Sequence, residues 1–353
     1  MAGKLETGTA EKALNFTSDN CTGVAPEILA ALARANDGAE PSYGDDAVSA
    51  RLGALFGRVF EREVAVFPVI SGTAANALAL AALVPPHGAI LAHAASHIAT
   101  DECGAVESFT HGAKLVTLEG GSGKLEPGAV AAALARFEKG SVHHSQPMAI
   151  SITQATELGT VYTAAEIAAL AATARAQGLK LHMDGARFAN ALVHLNCAPA
   201  DITWRAGVDA LSFGATKNGA MGAEAVIFFD PACAADFVWR RKKAGHLISK
   251  MRFVSAQLEA YLTGDLWLRN AARANALAGR IAESLSGDLA WPVQANEVFA
   301  RVSDATAARL RAGGASFYDW APSEAGRTLI RLVTSFATRD EDVEKLIAMV
   351  RTT

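Results

Sequence analysis

Leu179-Lys180-Leu181-His182-Met183-Asp184-Gly185-Ala186-Arg187 is a short apolar run that closes on a carboxylate, a glycine and a guanidinium. It is one of seven such runs. Stretches 64–70, 89–93, 114–118, 148–153, 179–183, 210–214 and 225–229 alternate with helical patterns at 73–84, 127–138, 164–177 and 186–194. That alternation predicts βαβ units, hence an α/β fold with a mostly parallel seven-stranded sheet and helices on both faces. Open sheets of this kind bind ligands in the crevice outside the carboxyl ends of their strands, which is where Asp184 falls.

Outward from this core, residues 45–250 form the expected large domain. Residues 251–353 read as a small C-terminal α+β domain: one long helix over 251–284, then strands at 298–302 and 328–335, each followed by a helical run. Residues 1–44, with one helix at 26–36, read as an N-terminal arm reaching across a neighbour or over the site.

A chain of 353 residues, 51% of them hydrophobic, can bury such a core. With 32 basic and 36 acidic residues, it has no basic block that suggests nucleic acid or a membrane surface; Arg240-Arg241-Lys242-Lys243 reads as a solvated helix face. Cys21, Cys103, Cys197 and Cys233 lack CxxC spacing, so free thiols in a cytoplasmic protein are expected. The start, 1–12, is polar, and apolar runs are short, so neither a signal peptide nor a membrane span is expected.

Two further stretches lie at strand ends. Ser71-Gly72-Thr73-Ala74-Ala75-Asn76 stands at the mouth of a helix, whose unpaired N–H groups and partial positive charge suit a phosphate; a plain N-cap by Ser71 or Thr73 is the simpler use. Ser212-Phe213-Gly214-Ala215-Thr216-Lys217-Asn218-Gly219-Ala220 sets a lysine among small residues, leaving room for a flat ring and for partial desolvation of the amine. Asp184 could pair with a protonated pyridine nitrogen, the feature that makes pyridoxal 5'-phosphate (PLP) an electron sink; a helix N-cap is its plainer use. His182 reads as a satisfied core histidine. Each signal alone is weak, and their order carries the weight: a phosphate cup, an aspartate, then a lysine 33 positions later.

With Tyr43-Gly44-Asp45-Asp46 and His97 added, the motifs run in order across nearly the whole chain, and the sequence resembles the L-threonine aldolases of the aspartate-aminotransferase-like PLP fold, fold type I. Ser18-Asp19-Asn20 and the stretch 212–224 are similar to the bacterial branch that includes low-specificity threonine aldolases and phenylserine aldolase. The resemblance implies cleavage of a β-hydroxy-α-amino acid (L-threonine, L-allo-threonine or L-phenylserine) to glycine and an aldehyde. It implies that Lys217 forms an imine with the cofactor, Asp184 pairs with the ring nitrogen, and Ser71, Gly72 and Thr73 hold the phosphate. His97 would stack on the ring. Arg187, Ser18 and Arg331 would position the substrate or the ring oxygen, Arg331 gripping the α-carboxylate in bidentate fashion. The family's site lies between subunits of a dimer or a dimer of dimers, which brings Tyr43 and Arg252 in from the neighbour. The plainer use of Arg331, between Ile330 and Leu332, is an edge-strand surface residue.

One departure stands out. Where many relatives carry a histidine near the substrate β-hydroxyl, this chain has Glu157, in Gln154-Ala155-Thr156-Glu157-Leu158-Gly159. Glu157, His97 through a water, and a bound water alone all stay open as the base. A β-eliminating lyase or an amino-acid racemase would share the lysine, aspartate and phosphate cup, and so would a PLP-fold protein without catalysis. A metal enzyme using His93 and His97 four apart on a helical face, with Asp101 and Glu102, lacks an intervening glutamate base and an evident third ligand, so no metal is expected.

Overall fold

The computed structural model describes residues 14–351, so the polar stretch 1–12 lies outside the described residues. Seven strands form the large sheet: β1 (Ala65–Val69), β2 (Gly88–His93), β3 (Lys114–Leu118), β4 (Gln146–Thr153), β5 (Lys180–Gly185), β6 (Ala210–Gly214) and β7 (Glu224–Phe228). Their order is β1-β7-β6-β5-β4-β2-β3. Only β7 runs against its neighbours. This reversal matters for the site, because it brings the first residue of β7, Glu224, opposite Gly214 at the end of β6 and Val69 at the end of β1. The register likewise sets Asp184 beside Thr153 and Ser212. Strands β2, β6 and β7 are buried at every position, which is why they read as continuous apolar runs.

Helices α1 (Pro26–Ala35), α2 (Ala47–Phe60), α3 (Gly72–Leu83), α4 (Pro127–Leu134), α5 (Ala164–Ala176) and α6 (Phe188–Leu195) cover the sheet or its edges. Helix α3 is buried at every position from Ala74 to Ala81, and its alanines are what let a helix lie so close to strands on all sides. Helix α2 is absent from the sequence expectations, although its signals are present: Asp46 caps it through Ser49 N–H at 2.8 Å, and Leu52, Phe56 and Phe60 recur four apart on the buried side.

The expected single helix over 251–284 is two helices, α7 (Arg252–Leu262) and α8 (Leu266–Ser284). The break falls at Gly264 and Asp265, with φ of 58° and 56°; glycine and aspartate are the residue types that enter this left-handed region at low cost. Helix α7 carries Val254, Leu258 and Tyr261 into the core of the large sheet, whereas Leu277 and Ile281 of α8 enter a second core. That second core lies against an antiparallel sheet of β8 (Glu297–Ser303), β9 (Tyr318–Glu324) and β10 (Arg327–Val333), in the order β9-β10-β8, with α9 (Asp304–Ala312) and α10 (Asp340–Arg351). Strand β9 escaped the sequence because six of its seven residues are exposed and no alternation marks it. Leu14 and Phe16 also join the second core, and Leu14–Asn15 pairs in parallel with Ala315–Ser316, so the described part of the N-terminal arm is anchored to its own chain. Among the described residues no helix is long and apolar enough to cross a membrane.

Candidate active site

The carboxyl ends of β1, β4, β5 and β6 open into one cavity of about 240 Å³, lined by Ser71, Gly72, Thr73, His97, Glu157, Asp184, Arg187 and Lys217. The turn carrying Lys217 follows β6 directly, and the close fit beneath it explains the small residues: a Cβ at Gly214 would fall 2.5 Å from the carbonyl oxygen of Ala186. Ser71 does cap α3, its hydroxyl accepting from Ala74 N–H at 3.3 Å, yet the first N–H groups of the helix remain outside the intrahelical pattern at the cavity edge. The cap and the anion cup are thus compatible uses of one turn.

Asp184 is not a helix cap, since the next helix starts at Phe188 with Arg187 before it. One of its oxygens accepts from Ala186 N–H at 3.0 Å and the other from the side-chain amide of Asn76 at 2.8 Å. Asn76 also donates to Glu102 at 2.8 Å, and Glu102 meets His97 Nδ1 at 2.9 Å. That hydrogen bond is the main reason His97 is raised above the ordinary histidine value, assisted by the charge of Asp184 and opposed by burial and Lys217. Burial raises Glu102 in turn.

Glu157 is partly buried, with its carboxyl turned inward. Its Oε1 accepts from His97 N–H at 2.7 Å and from the Thr153 hydroxyl at 2.9 Å, while Oε2 has no partner among the described residues. Burial, and then the charge of Asp184, push its carboxyl up to about 7. Glu224 is pushed up to about 7 by burial as well; it also lines the cavity and holds the Lys217 turn by accepting from Ala215 N–H at 2.9 Å.

A second chain of charges begins at Arg187. Its Nε and Nη2 grip Asp19 at 2.8 and 3.0 Å, and its Nη1 lies 3.3 Å from Glu297, which is 3.9 Å from Arg331. Burial works against ionising Asp19, but Arg187 and Lys217 outweigh it and hold the carboxyl below its ordinary value. Burial raises Glu297, which Arg187 and Arg331 only partly offset.

Four expected site residues do not line the cavity. Ser18 caps the short turn at Asp19–Cys21 and borders a separate surface cleft; its neighbour Asn20 lines the cavity, and Asp19 reaches it through Arg187. Arg331 lies between the rings of Tyr318 and Trp320, at 5.3 and 4.9 Å, and donates to Thr17 carbonyl at 3.1 Å, which also replaces its reading as a plain surface residue. Tyr43 is half exposed, with the Lys242 ammonium 3.9 Å from its ring, and Arg252 donates to the Gly38 carbonyl at 3.2 Å. His182, by contrast, is the core histidine expected: Ser151 and Ser212 hydroxyls meet its two nitrogens at 2.9 and 3.0 Å, and burial depresses it to about 4. His93 ends strand β2 and His97 opens a one-turn helix, so the two do not share a helical face, and both His93 nitrogens are engaged by backbone at Ala95 and Gly120.

A family model described as beta-eliminating lyase matches residues 15–305. The low specificity L-threonine aldolase of Pseudomonas aeruginosa is 44% identical over 95% of this chain and 96% of its own length, and that of a Pseudomonas species (strain NCIMB 10558) is 41% identical over 97% and 98%. The chain belongs to the L-threonine aldolase family. A solved threonine aldolase of Leishmania major superposes with a TM-score of 0.90 at 31% identity, covering 96% of this chain and 98% of the other. The fold is accordingly the PLP-dependent transferase fold, and threonine aldolases of this family are PLP-dependent aldehyde-lyases.

The residues of this family member fit that cofactor on their own chemistry. A lysine, a carboxylate, an imidazole and a helix N-terminus converge on one cavity, and a Cβ built at Gly72 meets nothing within 4 Å, so the helix mouth is open to an anion. Sequence reasoning quoted Asn76 and Asp19 within motifs without giving them a role, weighed Glu102 only as a metal ligand, and gave no role to Glu224 or Glu297. Asn76 had a signal, as an amide inside an alanine-rich helix, and Glu297 had a weaker one, as a carboxylate opening an apolar strand.

Proposed function

We propose that this chain cleaves β-hydroxy-α-amino acids to glycine and an aldehyde, with PLP held covalently by Lys217, its ring nitrogen facing Asp184, its phosphate at Ser71, Gly72 and Thr73, and His97 against the ring. The convergence of Lys217, Asp184 and the mouth of α3 on one cavity carries this reading. When bound, PLP supplies an electron sink for the pair left on Cα as the Cα–Cβ bond breaks.

The remaining work falls to the chain's own groups. Asp184, fixed by Ala186 N–H and Asn76, presents its carboxyl group where a ring nitrogen would meet it. Glu157 Oε2, buried and unpartnered, takes the proton of the substrate β-hydroxyl; its poise near neutrality suits a base that must later give that proton up. Arg331 stands off the cavity, yet its buried Nε has no hydrogen-bond partner among the described residues, which supports it as the group that receives the substrate α-carboxylate. Arg187, already committed to Asp19 and Glu297, positions rather than binds, anchoring the arm over the cavity. Ser18 sets the turn that presents Asn20.

The reading includes a homo-oligomer in which Tyr43 and Arg252 complete a neighbour's site; their placement off the cavity, with Tyr43 half exposed and Arg252 donating to the Gly38 carbonyl, supports it. A cytoplasmic location fits four unpaired cysteines. The test is direct: purified protein with PLP and L-threonine, L-allo-threonine or L-phenylserine yields glycine with acetaldehyde or benzaldehyde. A 2-oxo acid with ammonia would instead establish elimination, the reaction in the family model's description; interconversion of enantiomers alone would establish racemisation.

A further inference from the structure

The link between Asp184 and His97 runs along the wall of the cavity, through Asn76 and Glu102, which both line it. Asn76 Nδ2 has two hydrogens, and the two carboxylates within reach take one each, at 2.8 Å to Asp184 Oδ2 and 2.8 Å to Glu102 Oε1. The opposite orientation of the amide would turn its oxygen on two acceptors, so chemistry fixes the assignment. Glu102 then meets His97 Nδ1 at 2.9 Å with a side chain wholly removed from solvent. Two carboxylates buried this close repel each other, and the hydrogen-bond partners of Glu102 are Asn76 and His97 rather than an arginine or lysine. An apolar residue would serve packing at lower cost, so the arrangement calls for another reason.

We propose that Asn76 and Glu102 are positioning residues that lock the Asp184 carboxylate and the His97 imidazole into one hydrogen-bonded unit, with the His97 proton held on Nδ1 toward Glu102 and Nε2 left without a carboxylate. The inference rests on the aldolase reading, since that is what gives the unit its use. The groups facing His97 are Glu102 and Asp184, which favour its charge, Lys217, which opposes it, and Glu157, which accepts its backbone N–H. Removing Glu102's charge therefore reverses the balance on the ring, whereas removing Asn76's donors frees Asp184 and one donor's hold on Glu102 Oε1 but leaves the two partners of the Glu102 to His97 bond in place.

The first arm of the test uses cofactor-free protein with labelled histidines, the His97 resonance assigned with His97→Asn. In the parent, His97 titrates above the ordinary histidine value with Nδ1 protonated; in Glu102→Gln it titrates below it. The second arm loads PLP onto Asn76→Leu and follows the visible absorption band against pH. The band's titration moves relative to the parent, and kcat falls by about tenfold or more while KM stays within about threefold, the signature of an interaction that matters in the transition state. Where Asn76→Leu does not fold, Asn76→Ala carries the same arm. An unchanged His97 titration in Glu102→Gln, or an unchanged band and kcat in the Asn76 variant, overturns the proposal. A parent that neither holds PLP nor cleaves hydroxy amino acids overturns the proposed function instead, and the cofactor-free titration still decides the placement of the His97 proton.

Discussion

The Asp184–Asn76–Glu102–His97 chain and the Asp19–Arg187–Glu297–Arg331 chain both flank Lys217, and they are assembled in different ways. The first is drawn from strand ends and helices of the large sheet, with every link a hydrogen bond of 2.8 or 2.9 Å. The second joins the N-terminal arm, the large sheet and strands β8 and β10 of the second core, and its links lengthen from 2.8 Å at Asp19 to 3.9 Å at Arg331. A network built on one sheet is held by that sheet's packing and can orient reacting groups finely. A network spanning three segments also holds those segments together, so its loss is expected to register in stability as much as in catalysis.

The sharpest way to break the comparison is to remove the group both networks surround. Lys217→Ala is expected to lower threonine cleavage by on the order of 10³-fold or more, and to abolish the borohydride-stable attachment of PLP, while leaving the thermal midpoint close to the parent's. An active Lys217→Ala enzyme would leave neither network with a centre.

Next in size is the second network itself. Arg187→Ala strands Asp19 and Glu297 as buried carboxylates, and breaking a buried pair in this way costs about 3–5 kcal/mol. Urea unfolding measures it. Glu102→Gln, in the first network, is expected to change stability by less than half of that figure while depressing kcat, and equal losses in the two variants would erase the distinction drawn here.

Glu157 adds a pH dependence to the first region. Its carboxyl is raised from an ordinary 4.5 to about 7 by burial and by Asp184. As the base it must be ionised, so kcat/KM rises with pH through about 7 to a plateau, and Glu157→Gln removes that limb together with about 10²-fold or more of the plateau rate. The stability effect has the opposite sign. A carboxyl whose folded value exceeds its unfolded value weakens the fold as pH climbs from about 4.5 to about 7, by roughly 3 kcal/mol in full, so Glu157→Gln is expected to melt higher than the parent at pH 8 and equally at pH 4. Thermal melts at the two pH values check this.

The two regions also differ in how much of them the sequence discloses. Lys217, Asp184 and the Ser71–Thr73 turn are legible because each falls where an apolar strand gives way to small or polar residues, a change that can be seen within a few positions. Strands β2, β6 and β7 are legible for a related reason, being buried at every position. Asp19 and Arg187 meet across 168 positions, and no local pattern announces that a turn in the arm will return to the sheet. Helix α7 hid its break because Gly264 and Asp265 sit inside an otherwise continuous helical pattern, and Glu102 read as one of several acidic residues near a histidine until Asn76 was seen beside it. Local chemistry discloses sites on one sheet; contacts that close the chain on itself need the fold.

The smallest effect expected is also the most discriminating within the first region. Thr153 ends β4, and its hydroxyl donates to Glu157 Oε1 at 2.9 Å, a bond that favours the ionised carboxylate. Thr153→Val keeps the shape and removes the donor, leaving His97 N–H as the remaining partner of that oxygen. Glu157 then stays protonated to higher pH. The ascending limb of kcat/KM should move toward alkaline pH, so that the rate near pH 7 drops by about twofold to tenfold while the alkaline plateau stays within about twofold of the parent. If Glu157 were only a packing residue, or if a bound water acted without it, the loss would be the same at every pH. A pH-independent loss in Thr153→Val would therefore remove Glu157 from the proton path even if Glu157→Gln were inactive.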